Sequence, residues 1–110
     1  MSRRPKELVE QLVEARNARA DDRAAALLAE DVHYWDCLRG EVAGRDAALA
    51  ALAAAPGTSL TVETLAGDAT HAVVELRVDG VRPHRTTEVY VLGDDARIAS
   101  CRAYFDPQER

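Results

Sequence analysis

Residues 27–52, with the sequence LLAEDVHYWDCLRGEVAGRDAALAAL, combine helical and extended patterns in one short stretch. The apolar end of a helix leads into β-branched and aromatic residues at 32–36, which predict a strand. Gly40 and Gly44 then bracket a turn with a possible short ribbon at 41–43. The alanine-rich run from Ala47 predicts a helix that ends at Pro56 and Gly57. Helix, strand and helix in this order require a mixed α and β fold.

Asp36 stands at the end of the predicted strand, and its side chain has two alternative uses. Because side chains alternate along a strand, one face carries Val32, Tyr34 and Asp36, and the other carries His33 and Trp35. Asp36 therefore ends a row of inward residues. It either forms the turn that follows, where aspartate is common, or faces a cavity as a chemical group.

The rest of the chain predicts two more helices and four more strands. Apolar residues at helical spacing follow Pro5 and predict a helix at 4–20, and a shorter one follows at 23–29. After Pro56 the period changes to two, which predicts strands at 59–66, 70–78, 84–92 and 97–105. Glycine and acidic residues divide these strands, so consecutive strands are most simply antiparallel. The pattern predicts an α+β fold with the helices on one face of a curved sheet.

Length and charge limit the classes of function. A chain of 110 residues with 47% apolar and 30% charged residues is expected to form one domain, residues 1–110. It has no apolar run long enough to span a membrane and no signal-like start, so a cytoplasmic location without a membrane partner is predicted. Fourteen basic against nineteen acidic residues give a net charge of −5, which opposes nucleic-acid binding.

Cysteines and histidines do not suggest a metal site. Cys37 and Cys101 lack the further ligands that zinc needs, and in a reducing compartment both are expected to be packing residues. The three histidines share no metal-ligand spacing and are expected at the surface or at a rim. No metal and no cofactor is predicted.

Three segments together carry a family resemblance: LLAEDVHYWD, GRDAALA and RIASCRAYFDP. They resemble the NTF2-like superfamily in its SnoaL-like polyketide cyclase and ketosteroid isomerase branches. The resemblance implies a cone-shaped α+β barrel in which helices and a bent sheet enclose a mostly apolar pocket. It also implies a small apolar organic ligand and a homodimer formed through the outer sheet face.

The ketosteroid isomerase branch implies roles for two acids. Its pattern of an acidic pair followed by a catalytic aspartate matches Ala29, Glu30, Asp31 and Asp36, so Asp36 takes the place of the proton-shuttling base. A second acid stands ten residues before the start of the last strand in that branch, and counting back from Ile98 reaches Glu88. Moving a proton beside a carbonyl needs a base and a hydrogen-bond donor, and a neutral acid can be that donor. Asp36 and Glu88 are therefore the candidate catalytic residues.

Two departures from these branches exclude two known chemistries. The isomerases carry a donor tyrosine on the first helix, and none stands near Val13 here, although Tyr34 can supply a hydroxyl from the strand. Limonene-type epoxide hydrolases carry Arg-x-Asp on a central strand and a second aspartate on the last strand. This chain has Arg77 and Asp79, but Ala103 replaces the second acid. Steroid isomerisation and epoxide hydrolysis are both disfavoured.

The orientation of the remaining candidates is less determined by pattern. Alternation groups Thr86, Glu88 and Tyr90 on one face of their strand and Thr87, Val89 and Val91 on the other. The pattern alone therefore turns Glu88 outward, while the family spacing turns it inward. The candidate pocket residues are Tyr34, Trp35, Cys101, Ala103 and Phe105, with Trp35 and Phe105 also explained as core aromatics. Arg102 and Tyr104 are expected on the outer face.

The sequence thus supports two hypotheses. In the first, the domain binds a small apolar carbonyl compound and transfers a proton, isomerises or cyclises it without a cofactor, with Asp36 as base. In the second, the same fold is a non-catalytic ligand-binding or dimerisation module and the two acids are structural.

Overall fold

Six strands and three helices make up the parts of the chain that the structure, a computed structural model, describes: residues 4–53 and 56–106. Their order and bounds are α1 Pro5–Asn17, α2 Asp21–Leu27, β1 Leu28–Asp36, β2 Gly40–Ala43, α3 Arg45–Leu52, β3 Ser59–Gly67, β4 His71–Asp79, β5 His84–Leu92 and β6 Ile98–Tyr104.

The strands form a single open sheet with the order β2-β1-β6-β5-β4-β3. Strand β1 pairs parallel to β6 and antiparallel to β2, while β3 to β6 form an antiparallel series. The short strand β2 and the long strand β3 are the edges. The parallel pairing places the N-terminal strand β1 beside the C-terminal strand β6, in the middle of the site described below.

The helices pack against one face of this sheet. Helix α1 buries its apolar face, Leu8, Val9, Leu12 and Val13, against the inner side of β3, β4 and β5. Helix α3 contacts β1 and β2 through Ala48 and Leu52. Alternate residues of the strands complete the core, including Val32, Val74, Leu76 and Ile98, all at most 2% exposed. The predicted α+β fold, with helices on one face of a curved and mostly antiparallel sheet, is confirmed.

The boundary between α2 and β1 differs from the prediction. Helical propensity extends α2 to Ala29, but the helix ends at Leu27 because Leu28 turns into extended backbone and pairs with Ile98 of β6. An irregularity between Leu28 and His33 then resets the pairing. Pairing with a distant strand, which local sequence does not encode, therefore overrides helix propensity at this point.

Helices α1 and α3 also have bounds that differ from the predicted ones. Helix α1 ends at Asn17, since Arg19 takes a positive φ of 53° that interrupts the helix. Helix α3 begins at Arg45, immediately after Gly44, whose φ of 96° favours glycine. No helix among the described residues is long and apolar enough to cross a membrane.

Candidate functional site

Sheet register places the two candidate acids in one row across three strands. Asp36 of β1 pairs with Ala103 of β6, and Ala103 pairs with Glu88 of β5. Two strand spacings separate the Cα atoms of the acids, about 10 Å. Ala103 is small, so it leaves room above the sheet between the two larger side chains.

Glu88 faces the helices and is only 3% exposed. Its strand turns Thr86, Glu88 and Tyr90 inward, so the outward orientation that pattern alone favours is wrong. Glu88 Oε1 accepts hydrogen bonds from the Arg16 guanidinium at 2.9 Å and from the Tyr90 hydroxyl at 2.6 Å. Both contacts use the carboxylate oxygen as their acceptor, and the one from Arg16 is charge-assisted.

Arg16 is the residue of this site that the sequence reasoning missed. It extends from α1 with a side chain only 9% exposed, and its Nε donates to the carbonyl of Leu52 at 2.9 Å. Burial alone would lower the pKa of Arg16, but the Glu88 charge and hydrogen bond raise it above the usual value. The sequence does contain an indication that Arg16 points inward: it lies three residues after Val13 and four after Leu12, on the apolar face of α1.

Asp36 is fully buried and is occupied by the turn that follows it. Its Oδ1 accepts from the backbone N–H groups of Leu38 and Arg39, and its Oδ2 accepts from the Tyr34 hydroxyl at 2.9 Å and from Arg39 Nη1 at 3.2 Å. Burial alone would raise the pKa of Asp36. The Arg39 backbone N–H, the Tyr34 hydroxyl and a second backbone N–H outweigh burial and lower the pKa below its ordinary value. Of the two alternatives for Asp36, the structure thus shows the turn, and Asp36 contacts Tyr34 but does not itself line the cavity described below.

Tyr34 connects Asp36 to the interior. Its ring is 2% exposed, and its hydroxyl donates to Asp36. Burial, followed by the hydrogen bond and charge of Asp36, raises the pKa of Tyr34 above its ordinary value. Tyr34 therefore keeps its proton, which it donates to Asp36.

A cavity of about 100 Å³ lies between the sheet and the helices at this row of residues. Its polar lining comes from Arg16, Tyr34, Thr58, His84, Thr86 and Glu88. Its apolar lining includes Leu52, Leu60, Val78, Ala103 and Phe105. The structure thus brings together Tyr34, Glu88, Ala103 and Phe105 from the predicted set. Asp36 does not line the cavity, but it accepts a hydrogen bond from Tyr34, which does.

Two predicted pocket residues lie elsewhere. Trp35 is on the outer face of the sheet, as its alternation with Tyr34 requires, and its ring packs 5.2 Å from that of Tyr104. Tyr104 and Arg102 are exposed on this face, in the predicted orientation. Cys101 points inward and is 1% exposed, but it lies one row away, where it pairs with Tyr34 and Tyr90. It belongs to the core and does not line the cavity.

The Arg-x-Asp segment of β4 does not enter the cavity. Arg77 and Asp79 form an ion pair of 3.0 Å with both side chains about half exposed, and Val78 between them lines the cavity instead. Together with Ala103, this orientation leaves the cavity without the acids of the epoxide hydrolase pattern.

Cysteines and histidines form no cluster with the acids. Cys37 is exposed, in contrast to the predicted packing role, because it starts the Asp36 turn and its thiol donates to the Phe105 carbonyl. His33 and His71 are exposed, and His84 lies at the cavity rim. Within the described ranges, no three His, Cys, Asp or Glu side chains converge as metal ligands would.

The family model of the SnoaL-like domain matches residues 9–101, most of the chain. No curated protein matches this chain in sequence. Among solved structures, it is similar to a Kribbella flavida protein provisionally named a ketosteroid isomerase, with 24% identity, a TM-score of 0.84, and coverage of 96% of this chain and 79% of that one.

Two further similar structures are enzymes by name. An LEH-like epoxide hydrolase of M. tuberculosis has 18% identity and a TM-score of 0.75, with coverage of 94% and 83%. The epoxide hydrolase/cyclase-like enzyme SalBIII, which is described as having a role in pyran ring formation in the polyether salinomycin, has 14% identity and a TM-score of 0.81. The match covers 96% of this chain and 92% of that one. At these identities, the similarities establish a shared fold.

Proposed function

Because the chain belongs to the SnoaL-like domain family, we propose that its cavity binds a small organic molecule that carries a carbonyl group. The Arg16–Glu88 ion pair on the cavity wall is the observation that carries this proposal. A buried ion pair is often no more stabilising than apolar residues of the same volume. On the cavity wall, the pair offers a ligand one charged donor and one charged acceptor beside the apolar side chains.

The atoms of the ion pair that remain available suit a carbonyl compound. Arg16 uses Nε and Nη1, and Glu88 uses Oε1, in their contacts with the described residues. Arg16 Nη2 and Glu88 Oε2 can thus serve a ligand, the first as a donor to a carbonyl oxygen and the second as a proton acceptor.

Proton transfer beside the carbonyl is the reaction that these groups support. Glu88 accepts a proton from the carbon next to the carbonyl, while Arg16 stabilises the negative charge that develops on the oxygen. Glu88 then returns the proton to a different carbon, which isomerises the compound without any cofactor. A cyclisation can begin from the same enolate.

In this scheme, the role of base passes from Asp36 to Glu88. The lowered pKa of Asp36 makes it a weak base, and its oxygens are occupied by the turn and by Tyr34. Asp36 acts instead as a positioning residue, which holds the Tyr34 hydroxyl at the cavity. Glu88 thus takes the base role predicted for Asp36, and Arg16 takes the carbonyl-polarising role predicted for Glu88.

The isomerisation of cyclopent-3-enone to its conjugated isomer tests the proposal, because the probe is small and the product absorbs in the ultraviolet. Wild-type protein should accelerate the reaction over buffer. Glu88→Gln should lower the rate by at least about 100-fold, the usual contribution of a general base. Asp36→Asn should cause a smaller loss. Glu75→Gln, which changes an exposed acid on β4, is the matched control and should leave the rate unchanged.

Three results would count against this mechanism: no acceleration by wild-type protein, full activity of Glu88→Gln, or a larger loss in Asp36→Asn than in Glu88→Gln. The last would return the base role to Asp36. Binding of the probe without turnover would support the alternative, a non-catalytic ligand-binding module.

The outer sheet face supports a second proposal, a homodimer. Trp35 and Tyr104 form an aromatic pair there, and Val89 and Val91 are only half-buried on the same side. Aromatic residues and arginine are typical of protein interfaces, and Arg102 lies between Trp35 and Val89 in the sheet register. Self-association through this face is compatible with either function of the cavity.

A further inference from the structure

A second cleft lies between the three helices, next to the cavity but away from the sheet. It has a volume of about 190 Å³, larger than the cavity itself. Leu12, Ala15, Ala24 and Leu52 supply buried apolar walls, and Leu49 covers part of one side. Arg19 and Asp21 stand at its exposed rim.

The cleft and the cavity share a wall. Arg16, Leu52 and Ala53 border both spaces. Arg16 is bound to Leu52 by one hydrogen bond of 2.9 Å, from Nε to the backbone carbonyl, and to Glu88 on the cavity side. A ligand carbonyl can accept from Arg16 Nη2 beside this wall, while Nε keeps its hydrogen bond to the Leu52 carbonyl.

Size and chemistry make the two spaces complementary. The cavity, at about 100 Å³, holds the polar groups but only a small ligand body. The cleft supplies apolar walls between charged residues at its rim, and an apolar chain that covers these walls removes apolar surface from water. Together they approach the lower end of the volumes that hold organic ligands, roughly 300 Å³.

We infer that the cleft binds the apolar chain of the ligand whose carbonyl group contacts Arg16. The ligand class is then a ketone with an unbranched apolar chain of several carbons, with its reactive carbon at Glu88 and its chain between α1, α2 and α3. This inference rests on the proposed function and adds the substrate class. It also makes Leu49 a residue that determines specificity, although it does not border the cavity.

The affinities of butan-2-one, pentan-2-one and hexan-2-one, measured by NMR titration, test the inference. In the wild-type protein, each added methylene should tighten binding about fourfold, since burial of one methylene contributes about that factor. In Leu49→Trp, which fills the cleft, this gain should vanish while the affinity for butan-2-one stays the same. Ala50→Trp places the same ring at an exposed neighbouring position of α3 and should behave as wild type.

The outcomes separate the two proposals. If butan-2-one binds but longer ketones bind no tighter, or if Leu49→Trp keeps the gain, the cleft inference fails and the proposed function stands. If no ketone binds, both fail. Leu49→Phe repeats the test with a smaller ring should Leu49→Trp not fold, which circular dichroism would show.

Discussion

Arg16 and Arg39 each connect one buried carboxylate to the C-terminal end of α3. Arg16 bridges Glu88 and the Leu52 carbonyl, and Arg39 bridges Asp36 and the Ala51 carbonyl. Cationic groups are favourable at this end of a helix, where the last carbonyls lack helical partners. The two arginines therefore fix the acids relative to the helix end that lines the cavity.

The lowered pKa of Asp36 predicts a specific dependence of stability on pH. Stability from the ionised group is fully present above its unfolded pKa, about 4, and is lost as the pH falls through the lower folded value. Asp36→Asn does not titrate, so the difference in free energy of unfolding between wild type and Asp36→Asn should be constant above about pH 5 and shrink below pH 4.

Urea unfolding followed by circular dichroism at a series of pH values measures this difference. Gln11→Ala, a change at an exposed uncharged residue of α1, is the control and should keep the wild-type pH dependence, because it removes no titratable group. A difference that stays constant down to pH 2.5, or that grows in acid, would mean that the Asp36 contacts do not favour its ionised form.

The candidate site was predictable only in part. Alternation in β1 correctly turned Tyr34 and Asp36 inward, because that strand has an apolar inner row. In β5 the inner row is Thr86, Glu88 and Tyr90, so the more polar face is the buried one and hydrophobic pattern points the wrong way. The polar groups of the candidate site lie on the inner face of the sheet, and this is why the buried face of β5 is the more polar one. The Arg16 contact joins residues 72 positions apart, and strand patterns carry no information about it.

At the scale of elements, one contact fixes α1 against the edge of the sheet. Asn17, the last residue of α1, donates to the Leu60 carbonyl at 2.9 Å and accepts from the Leu60 N–H at 2.8 Å. The side chain thus takes the place of a neighbouring strand at the start of β3. It also covers part of an edge that would otherwise be open to pairing with another chain.

Loss of this contact should destabilise the fold. Asn17→Ala removes two hydrogen bonds and should lower the free energy of unfolding by about 1–2 kcal/mol, measured by urea denaturation. Glu14→Ala changes an exposed residue of the same helix and should alter it by less than about 0.5 kcal/mol. Equal stability of Asn17→Ala and wild type would show that the contact does not hold α1 to β3.

The elements themselves were largely predictable, and their ends were not. The change of period after Pro56 located the four C-terminal strands to within one residue at most ends, because turn residues separate them. The start of β1 was predicted four residues late, since Leu28 pairs with a strand 70 residues further along the chain. Pairing of β1 with β6 is a property of the whole sheet, not of the local sequence.

In the whole molecule, the two faces of the sheet carry different groups. The inner face carries the core, the ion pair and the cavity, and the outer face carries Trp35, Tyr104 and the half-buried valines. Tyr104 is 43% exposed although its ring packs on that of Trp35. The proposed homodimer would cover this ring.

Disruption of the outer face should therefore change the mass in solution. Wild-type protein should sediment as a dimer at micromolar concentration, and Tyr104→Lys should shift it toward the monomer by placing a charge in the interface. Val81→Lys, at a highly exposed apolar residue after β4, is the control and should leave the dimer intact. A wild-type monomer at all concentrations, or a dimer that persists in Tyr104→Lys, would contradict this interface.

We propose that the ligand site lies at the Arg16–Glu88 pair on the inner side of the sheet. An NMR titration with cyclopentanone tests it directly, because the ketone reports its position whether or not the protein is a catalyst. The Arg16 Nε–H signal and the amide signals of Glu88 and Ala103 should move with increasing ketone, while those of His33 and the Trp35 indole stay in place. Shifts confined to the outer-face residues, or no shift at Arg16 at saturating ketone, would contradict a ligand site at the Arg16–Glu88 pair.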